Sequence, residues 1–255
     1  MEDAPAQRAA RLLRTAHRMV VFTGAGMSAE SGVPTFRDDL TGLWARYDAA
    51  QLATPQAFQA DPDLVWGWYE WRRTRVSRAV PNPGHLAVTT MAARIPDTTV
   101  VTQNVDDLHE RAGTPAPIHL HGSLFTPRCT AVDGHPAPLP PDTEAPPEGS
   151  RIPPPRCATC GHPVRPGVVW FGEPLPEAEF AAAVDAAATC DLLLAVGTSG
   201  VVHPAAEIPR VAARSGATVI QVNPQPTPLD PVATVTLRGT AAQTLHGLVS
   251  AAWPH

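Results

Sequence analysis

Residues 19–38 read MVVFTGAGMSAESGVPTFRD, and the fold is decided there. Val20, Val21 and Phe22 form a short apolar run of strand type. Thr23-Gly24-Ala25-Gly26 follows as a tight turn of small residues. Ser28, Ala29 and Glu30 then predict the start of a helix. A strand, a glycine turn and a helix N-terminus together hold an anion well. Outward N–H groups and the helix dipole both favour a phosphate there. Gly24 and Gly26 fit the first two glycines of the dinucleotide pattern, and Ala29 fills the third, where alanine is tolerated. By itself such a turn is equally an ordinary strand-to-helix connection. The string that follows, SGVPTFRD at 31–38, is too polar and too broken by Gly and Pro for a packing helix.

Outward from this stretch, strand-like runs recur at 98–102, 192–196, 218–222 and 232–237. Helical stretches fall at 84–94, 177–189, 204–215 and 240–252. An amphipathic first helix carries Ala9, Leu12, Leu13 and Ala16 on one stripe. This alternation predicts an α/β fold, a parallel sheet with helices on both faces. Ligands of such sheets bind beyond the carboxyl ends of the strands. TGAG, TQNVD, GTS and VNP all sit at those ends. Two segments break the rhythm. Residues 39–80 predict helix rich in aromatics. Residues 126–166 hold 12 of the 30 prolines and three of the four cysteines, too proline-dense for core sheet or helix, with 133–155 expected as loop.

Bulk composition narrows the function classes. A chain of 255 residues with 44% apolar content can bury one sizeable core and a smaller appended unit. A net charge of −5 gives no electrostatic case for nucleic acid or anionic membrane. No apolar run approaches the roughly 20 residues that span a bilayer. The N-terminal sequence lacks the apolar core of a signal peptide, so a cytoplasmic location is expected. All 19 basic residues are arginine. Acylation of its own side-chain amines is therefore excluded.

Several side-chain groups can carry chemistry. Gln103, Asn104 and Asp106, in TQNVD, can hydrogen-bond an amide and hydroxyls. In IHLHGS, alternation places His119 and His121 on one face, and histidine suits general-base work with its ordinary pKa of ~6.5. Tyr69 and Arg72 lie three apart in LVWGWYEWRR and share a helix face. Together they could pair with a carboxylate. Trp66, Trp68 and Trp71 read as core. Cys157-x-x-Cys160 with Cys129 suggests a metal site in a reducing compartment, and Cys190 reads as a buried apolar residue.

These strings resemble the sirtuin family of NAD-dependent protein deacylases. The resemblance rests on GAGMSAESGVPTFR, TQNVDDLH, HGS, VVWFGE, GTS and VNP, and it covers about residues 9–252. It implies a Rossmann-like NAD-binding domain from 1–38, 81–125 and 167–255. A small domain of a helical module and a zinc ribbon would come from 39–80 and 126–166. It implies NAD contacts at Gly24, Ala25, Gly26, Thr35, Phe36, Arg37, Gln103, Asn104, Asp106, Gly197, Thr198, Ser199, Asn223, Pro224 and Ala241. Thr35–Arg37 would belong to a loop closing over the cofactor. His121, just before Gly-Ser, is implied as the catalytic base, with Asn104 beside it and His119 structural. The implied products are free lysine, nicotinamide and 2′-O-acyl-ADP-ribose.

The VVWFGE strand would pair with the substrate peptide backbone through Val169, Phe171 and Gly172. Val201–Ala206 would close the far side of that groove. The Tyr-x-x-Arg at Tyr69 and Arg72, preceded by GLW and LATPQAF, resembles class III members and implies succinyl, malonyl or glutaryl substrates alongside acetyl. Zinc departs from the pattern. Cys157 and Cys160 form the second pair, but Val132 stands where the partner of Cys129 belongs. Asp133, His135 or His162 could supply the fourth ligand, or zinc is absent. The expected partners are proteins bearing acylated lysines, and the expected state is a monomer or weak oligomer. Two other readings stay open: an NAD glycohydrolase or ADP-ribosyltransferase, and a non-catalytic NAD or ADP-ribose sensor.

Overall fold

The apolar runs pair into one parallel sheet. A computed structural model of the chain describes residues 4–33, 48–131, 134–140 and 146–254. The strands are β1 (Arg18–Thr23), β2 (Asp97–Thr102), β3 (Ile118–His119), β4 (Gly122–Cys129), β5 (Val164–Val168), β6 (Leu192–Val196), β7 (Thr218–Val222) and β8 (Val235–Leu237). The helices are α1 (Pro5–Thr15), α2 (Ala49–Leu52), α3 (Pro55–Ala60), α4 (Pro62–Arg78), α5 (Pro83–Arg94), α6 (Leu108–Arg111), α7 (Glu177–Thr189), α8 (Ile208–Arg214) and α9 (Ala241–Ala252). Six strands form the sheet in the order β3-β2-β1-β6-β7-β8, every pair parallel.

Strand alternation explains the two covered faces. Met19 and Val21 of β1 pack with Leu13, Val88 and Leu245 from α1, α5 and α9. Val20 and Phe22 pack with Ala183 and Ile208 from α7 and α8. A strand buried on both sides must be apolar throughout, which is why these runs were legible. The register sets the strand tips level: Thr23 lies opposite Thr102 and Val196, and Val196 opposite Val222.

Four expectations change. The helix after the glycine turn is two 3-10 turns, Ala25–Met27 and Ala29–Ser31, closed by Gly32 at φ +78°. Their i→i+3 bonds tighten the chain too far for an α-helix to start. The expected helix at 204–215 begins instead with a 3-10 turn, Ala205–Glu207. The last strand starts at Val235, because Val232 and Ala233 both donate to the Leu229 carbonyl in a turn. The ends of the proline-dense segment do form strand. β4 and β5 pair antiparallel with Pro127 and Pro166 inside them. A two-stranded ribbon consists of edges, where a missing N–H is tolerated.

A third apolar cluster joins this ribbon to α2–α4. It contains Phe58, Trp66, Trp68, Tyr69, Trp71, Cys129, Cys157, Val168 and Trp170. Asp61 caps α4 by accepting from the Leu64 amide at 3.1 Å, and Pro62 follows at the start of the helix. The three tryptophans of α4 are core, as expected.

Candidate active site

Four loops meet at the level strand tips. Thr198 ties them together. Its hydroxyl accepts from Gln103 Nε2 at 2.8 Å, and its carbonyl accepts from Asn223 Nδ2 at 2.8 Å. The loops after β1 and β6 touch backbone to backbone. A Cβ on Gly24 would sit 2.9 Å from the Gly197 oxygen, and one on Gly26 would sit 2.8 Å from the Gly197 Cα. The expected phosphate cradle is therefore partly spent. Gly24 N–H donates to Val196, Gly26 to Gly197, Met27 to Gly24 and Ser28 to Ala25. The turn offers at most the Ala25 amide. Among the described residues, two 3-10 turns and not an α-helix N-terminus follow it. Ala241 opens α9 and is buried, and the carboxylate of Glu30 already accepts from the next amide, Ala242, at 2.7 Å. Ser199 and Pro224 follow the tips of β6 and β7. Thr35, Phe36 and Arg37 lie outside the described residues.

A buried polar chain stands behind Asn104. The Asn104 amide nitrogen donates to Ser28 Oγ at 3.1 Å, which leaves its amide oxygen as the open acceptor. Ser28 also lies 3.5 Å from His85 Nε2. His85 Nδ1 accepts from the Asn82 amide, so its proton sits on Nε2. Burial raises the pKa of Asp106, opposed by hydrogen bonds from Ser28 and the Leu108 amide. Asn82 links this chain to the glycine turn through the Met27 carbonyl and the Ser31 hydroxyl. Sequence reading missed Ser28, Asn82 and His85. The signal was there in Asn82-Pro83-Gly84-His85, an N-cap, a proline and a reciprocal cap that together start α5.

Two buried histidines have a consequence for stability. The rings of His85 and His109 meet edge to face at 5.0 Å. Burial lowers their pKa values to about 4 and about 3, with His85 lowering His109 further. Both fall below the unfolded value of ~6.5, so the unfolded chain takes up protons that the folded chain refuses. Their contribution is complete above pH 6.5 and is lost as pH falls toward 4, at about 1.4 kcal/mol per pKa unit for each ring. His109→Gln flattens the fall of urea midpoint between pH 7 and pH 5. Parallel slopes for wild type and variant would contradict this origin.

The two histidines of the IHLHGS segment bond successive carbonyls of the neighbouring loop. His121 Nδ1 donates to Gln103 O at 2.9 Å, and His119 Nδ1 donates to Asn104 O at 3.0 Å. The outcomes differ. His121 has its Nε2 left with the lone pair, and burial lowers its pKa, so it is neutral near pH 7. His119 meets Glu110 with its second nitrogen at 2.7 Å, and Glu110 and the Asn104 carbonyl raise its pKa against burial. One ring keeps a nitrogen lone pair, and the other is bonded at both nitrogens. Gly122, next to His121, sits at φ +70°, and a Cβ there would lie 2.1 Å from Gly167 O. Only glycine permits that approach.

Tyr69 and Arg72 come together on α4 as expected. Tyr69 is buried, and its hydroxyl accepts from Trp170 Nε1 at 3.0 Å. The Arg72 guanidinium stacks 4.9 Å from the Trp68 ring and 6.0 Å from the Tyr69 ring. Burial lowers the Arg72 pKa, opposed by Tyr69 and Asp106. The VVWFGE strand ends early. β5 stops at Val168, and the next three amides are taken: Val169 by the His121 carbonyl, Trp170 by Glu173 and Phe171 by the Ala53 carbonyl. Phe171 is half exposed, and Gly172 turns the chain at φ +87°.

The candidate metal ligands also converge. The ligand atoms of Cys129, His135, Cys157 and Cys160 lie within 4.8 Å of one another. Cys129 and Cys160 sulfurs are 3.3 Å apart, and Cys157 Sγ is 3.9 Å from His135 Nδ1. Sulfurs of a tetrahedral zinc site with bonds of ~2.3 Å stand about 3.8 Å apart, so the set fits zinc. Hydrogen bonds from the Thr159 amide, among others, lower the Cys157 thiol to about 6, ready to ligate. Of the three sequence candidates for the fourth ligand, His135 is in the cluster and His162 is not; Asp133 lies outside the described residues. Cys190 is buried elsewhere, its thiol pushed up to about 11 mainly by burial.

A model of the Sir2 family matches residues 24–204. The chain belongs to the Sir2 family. This Sir2 chain is 60% identical over 240 residues to a protein of Methylococcus capsulatus named NAD-dependent protein deacylase, an overlap of 94% of each chain. A solved Sir2 homologue–NAD complex superposes with a TM-score of 0.87 at 43% identity, covering 95% of this chain and 92% of that one. A Sir2 structure bound to a myristoylated histone peptide gives 0.75 at 31% identity, covering 97% and 96%. The fold is the Rossmann-like sheet of that family. Among the described residues, no helix is long and apolar enough to cross a membrane.

Proposed function

We propose that this protein is an NAD-dependent protein-lysine deacylase whose acyl channel takes chains ending in a carboxylate. The deacylase reading is supported by the Sir2 relatives and by His121, a half-buried neutral imidazole at the strand tips. The acyl preference is carried by one observation. Half-buried Arg72 and buried Tyr69 place a cation and a phenol side by side on one face of α4, the guanidinium against the Trp68 ring. A carboxylate can pair with a guanidinium and accept from a phenol at once, which an acetyl methyl cannot.

The strand tips fit the dinucleotide. Glycines at 24, 26 and 197 let these loops close on one another, while Gln103, Asn104, Asp106, Thr198, Ser199 and Asn223 supply amides, hydroxyls and a carboxylate. NAD supplies, when bound, the ribose that accepts the acyl group and the nicotinamide that leaves. Asn104 gives its side-chain NH₂ to Ser28, which leaves its amide oxygen as the acceptor. His121 takes a ribose hydroxyl proton on Nε2, and its Nδ1–H bond to Gln103 fixes the tautomer. Val169, Phe171 and Gly172 flank the peptide; the Val169 and Phe171 amides are engaged, so those two residues offer their carbonyls.

The third apolar cluster supports a small second domain, with bounds near 39–80 and 126–166. Zinc held by Cys129, His135, Cys157 and Cys160 would staple its ribbon. The partners are proteins carrying acylated lysines, met by a cytoplasmic monomer or weak oligomer.

Succinyl- and acetyl-lysine peptides test the channel. Arg72→Met lowers kcat/KM for the succinyl peptide at least about thirtyfold, and for the acetyl peptide no more than about threefold. Equal loss on both peptides would refute the carboxylate reading.

A further inference from the structure

We propose that Trp170 is a positioning residue that sets the acyl preference, by holding the Tyr69 hydroxyl so that its proton is offered to a carboxylate. The inference rests on the channel reading above and deepens it. An indole N–H only donates, so the 3.0 Å contact from Trp170 Nε1 occupies a lone pair of Tyr69 Oη. The phenol proton is then the group left to offer. A carboxylate, which only accepts, is its matched ligand; an acetyl methyl is not. Donation into the phenol oxygen also polarises the O–H and makes it a better donor. Burial pushes Tyr69 up to about 12, so that proton is present throughout the physiological range.

Trp170 is built to stay in place. It is 3% exposed. The Arg165 guanidinium lies 3.4 Å from its ring centroid. Arg165 grips both oxygens of Glu173, at 2.5 and 2.9 Å, and Glu173 accepts the Trp170 backbone N–H at 2.8 Å. Phe58 packs on the ring at 5.4 Å. The ion pair thus acts on the indole, and the indole on the phenol. None of Arg165, Glu173 or Trp170 needs to touch the acyl group.

Trp170→Phe keeps an aromatic ring and removes the donor. The expected result is a KM for succinyl-lysine peptide raised about fivefold to tenfold. Its kcat, and the KM for acetyl-lysine peptide, stay within about twofold. In a Tyr69→Phe background, Trp170→Phe adds nothing to the succinyl KM. An equal rise for both peptides would overturn the proposal, as would an undiminished rise in the Tyr69→Phe background. Should Trp170→Phe fold poorly, benzothienylalanine at position 170 keeps the fused-ring shape without the N–H, with the same outcomes. Arg72→Met separates the two claims. A succinyl-specific loss there with none at Trp170 overturns this proposal alone, whereas an unselective Arg72→Met removes the channel reading itself.

Discussion

His121→Ala lowers deacylation by about a hundredfold to ten-thousandfold, the range of a general base removed from its proton. NAD affinity stays within about threefold, because the imidazole's contribution to the fold is one hydrogen bond to Gln103 O. His121→Asn separates the two roles of the ring. Its amide NH₂ can keep the bond to Gln103 O but cannot act as a base, so the strand tips keep their shape while activity falls as far as in the alanine variant. The direction of the pKa shift fixes the pH dependence. Burial holds His121 below the ordinary histidine value. The acid limb of kcat/KM therefore lies below pH 6.5 in wild type and disappears with the ring. More than about a tenth of wild-type activity in either variant would remove His121 from the chemistry.

Loss of the metal site has the second large effect, and it acts on folding. Cys129 and Cys157 belong to the same apolar cluster as Tyr69 and Trp170, so a metal held by them would tie the ribbon to that cluster. Structural zinc binding is folding free energy. Metal analysis of the native protein is expected to find one zinc per chain. Cys157→Ser loses it, and the midpoint of thermal unfolding drops by roughly 10 °C or more. His135→Ala weakens zinc affinity and leaves three thiolates; His162→Ala leaves metal content unchanged. Metal analysis of the two histidine variants decides the fourth ligand. A native protein free of metal, or a His135→Ala variant with unaltered affinity, would contradict the site.

What could be read from the chain follows from the range of each interaction. β1, β2, β6 and β7 were legible because the parts covered on both faces are short runs of apolar and β-branched residues, and Thr23, Thr102, Val196 and Val222 mark their tips. Tyr69 and Arg72 were legible because helical spacing is local. The glycine turn was misread on one point. Whether Gly24 and Gly26 offer their amides depends on Val196 and Gly197, far along the chain. The choice between 3-10 and α-helix after it turned on single i→i+3 bonds. Nothing local separates His135 from His162 as a ligand; the β4–β5 pairing brings one to the thiols and leaves the other aside. Ser28, His85 and Asn104 are joined only by tertiary contact, so their chain was invisible until the sheet placed them together.

Incubating the protein with succinyl- and acetyl-lysine peptides, with and without NAD, and following peptide mass and nicotinamide together is the most direct measurement. An NAD-dependent deacylase releases one nicotinamide for each acyl group lost, and neither changes without NAD. Nicotinamide released from an unchanged peptide would mean a glycohydrolase or ADP-ribosyltransferase, and turnover of neither would mean a sensor; both results contradict the function proposed for His121, Tyr69 and Arg72.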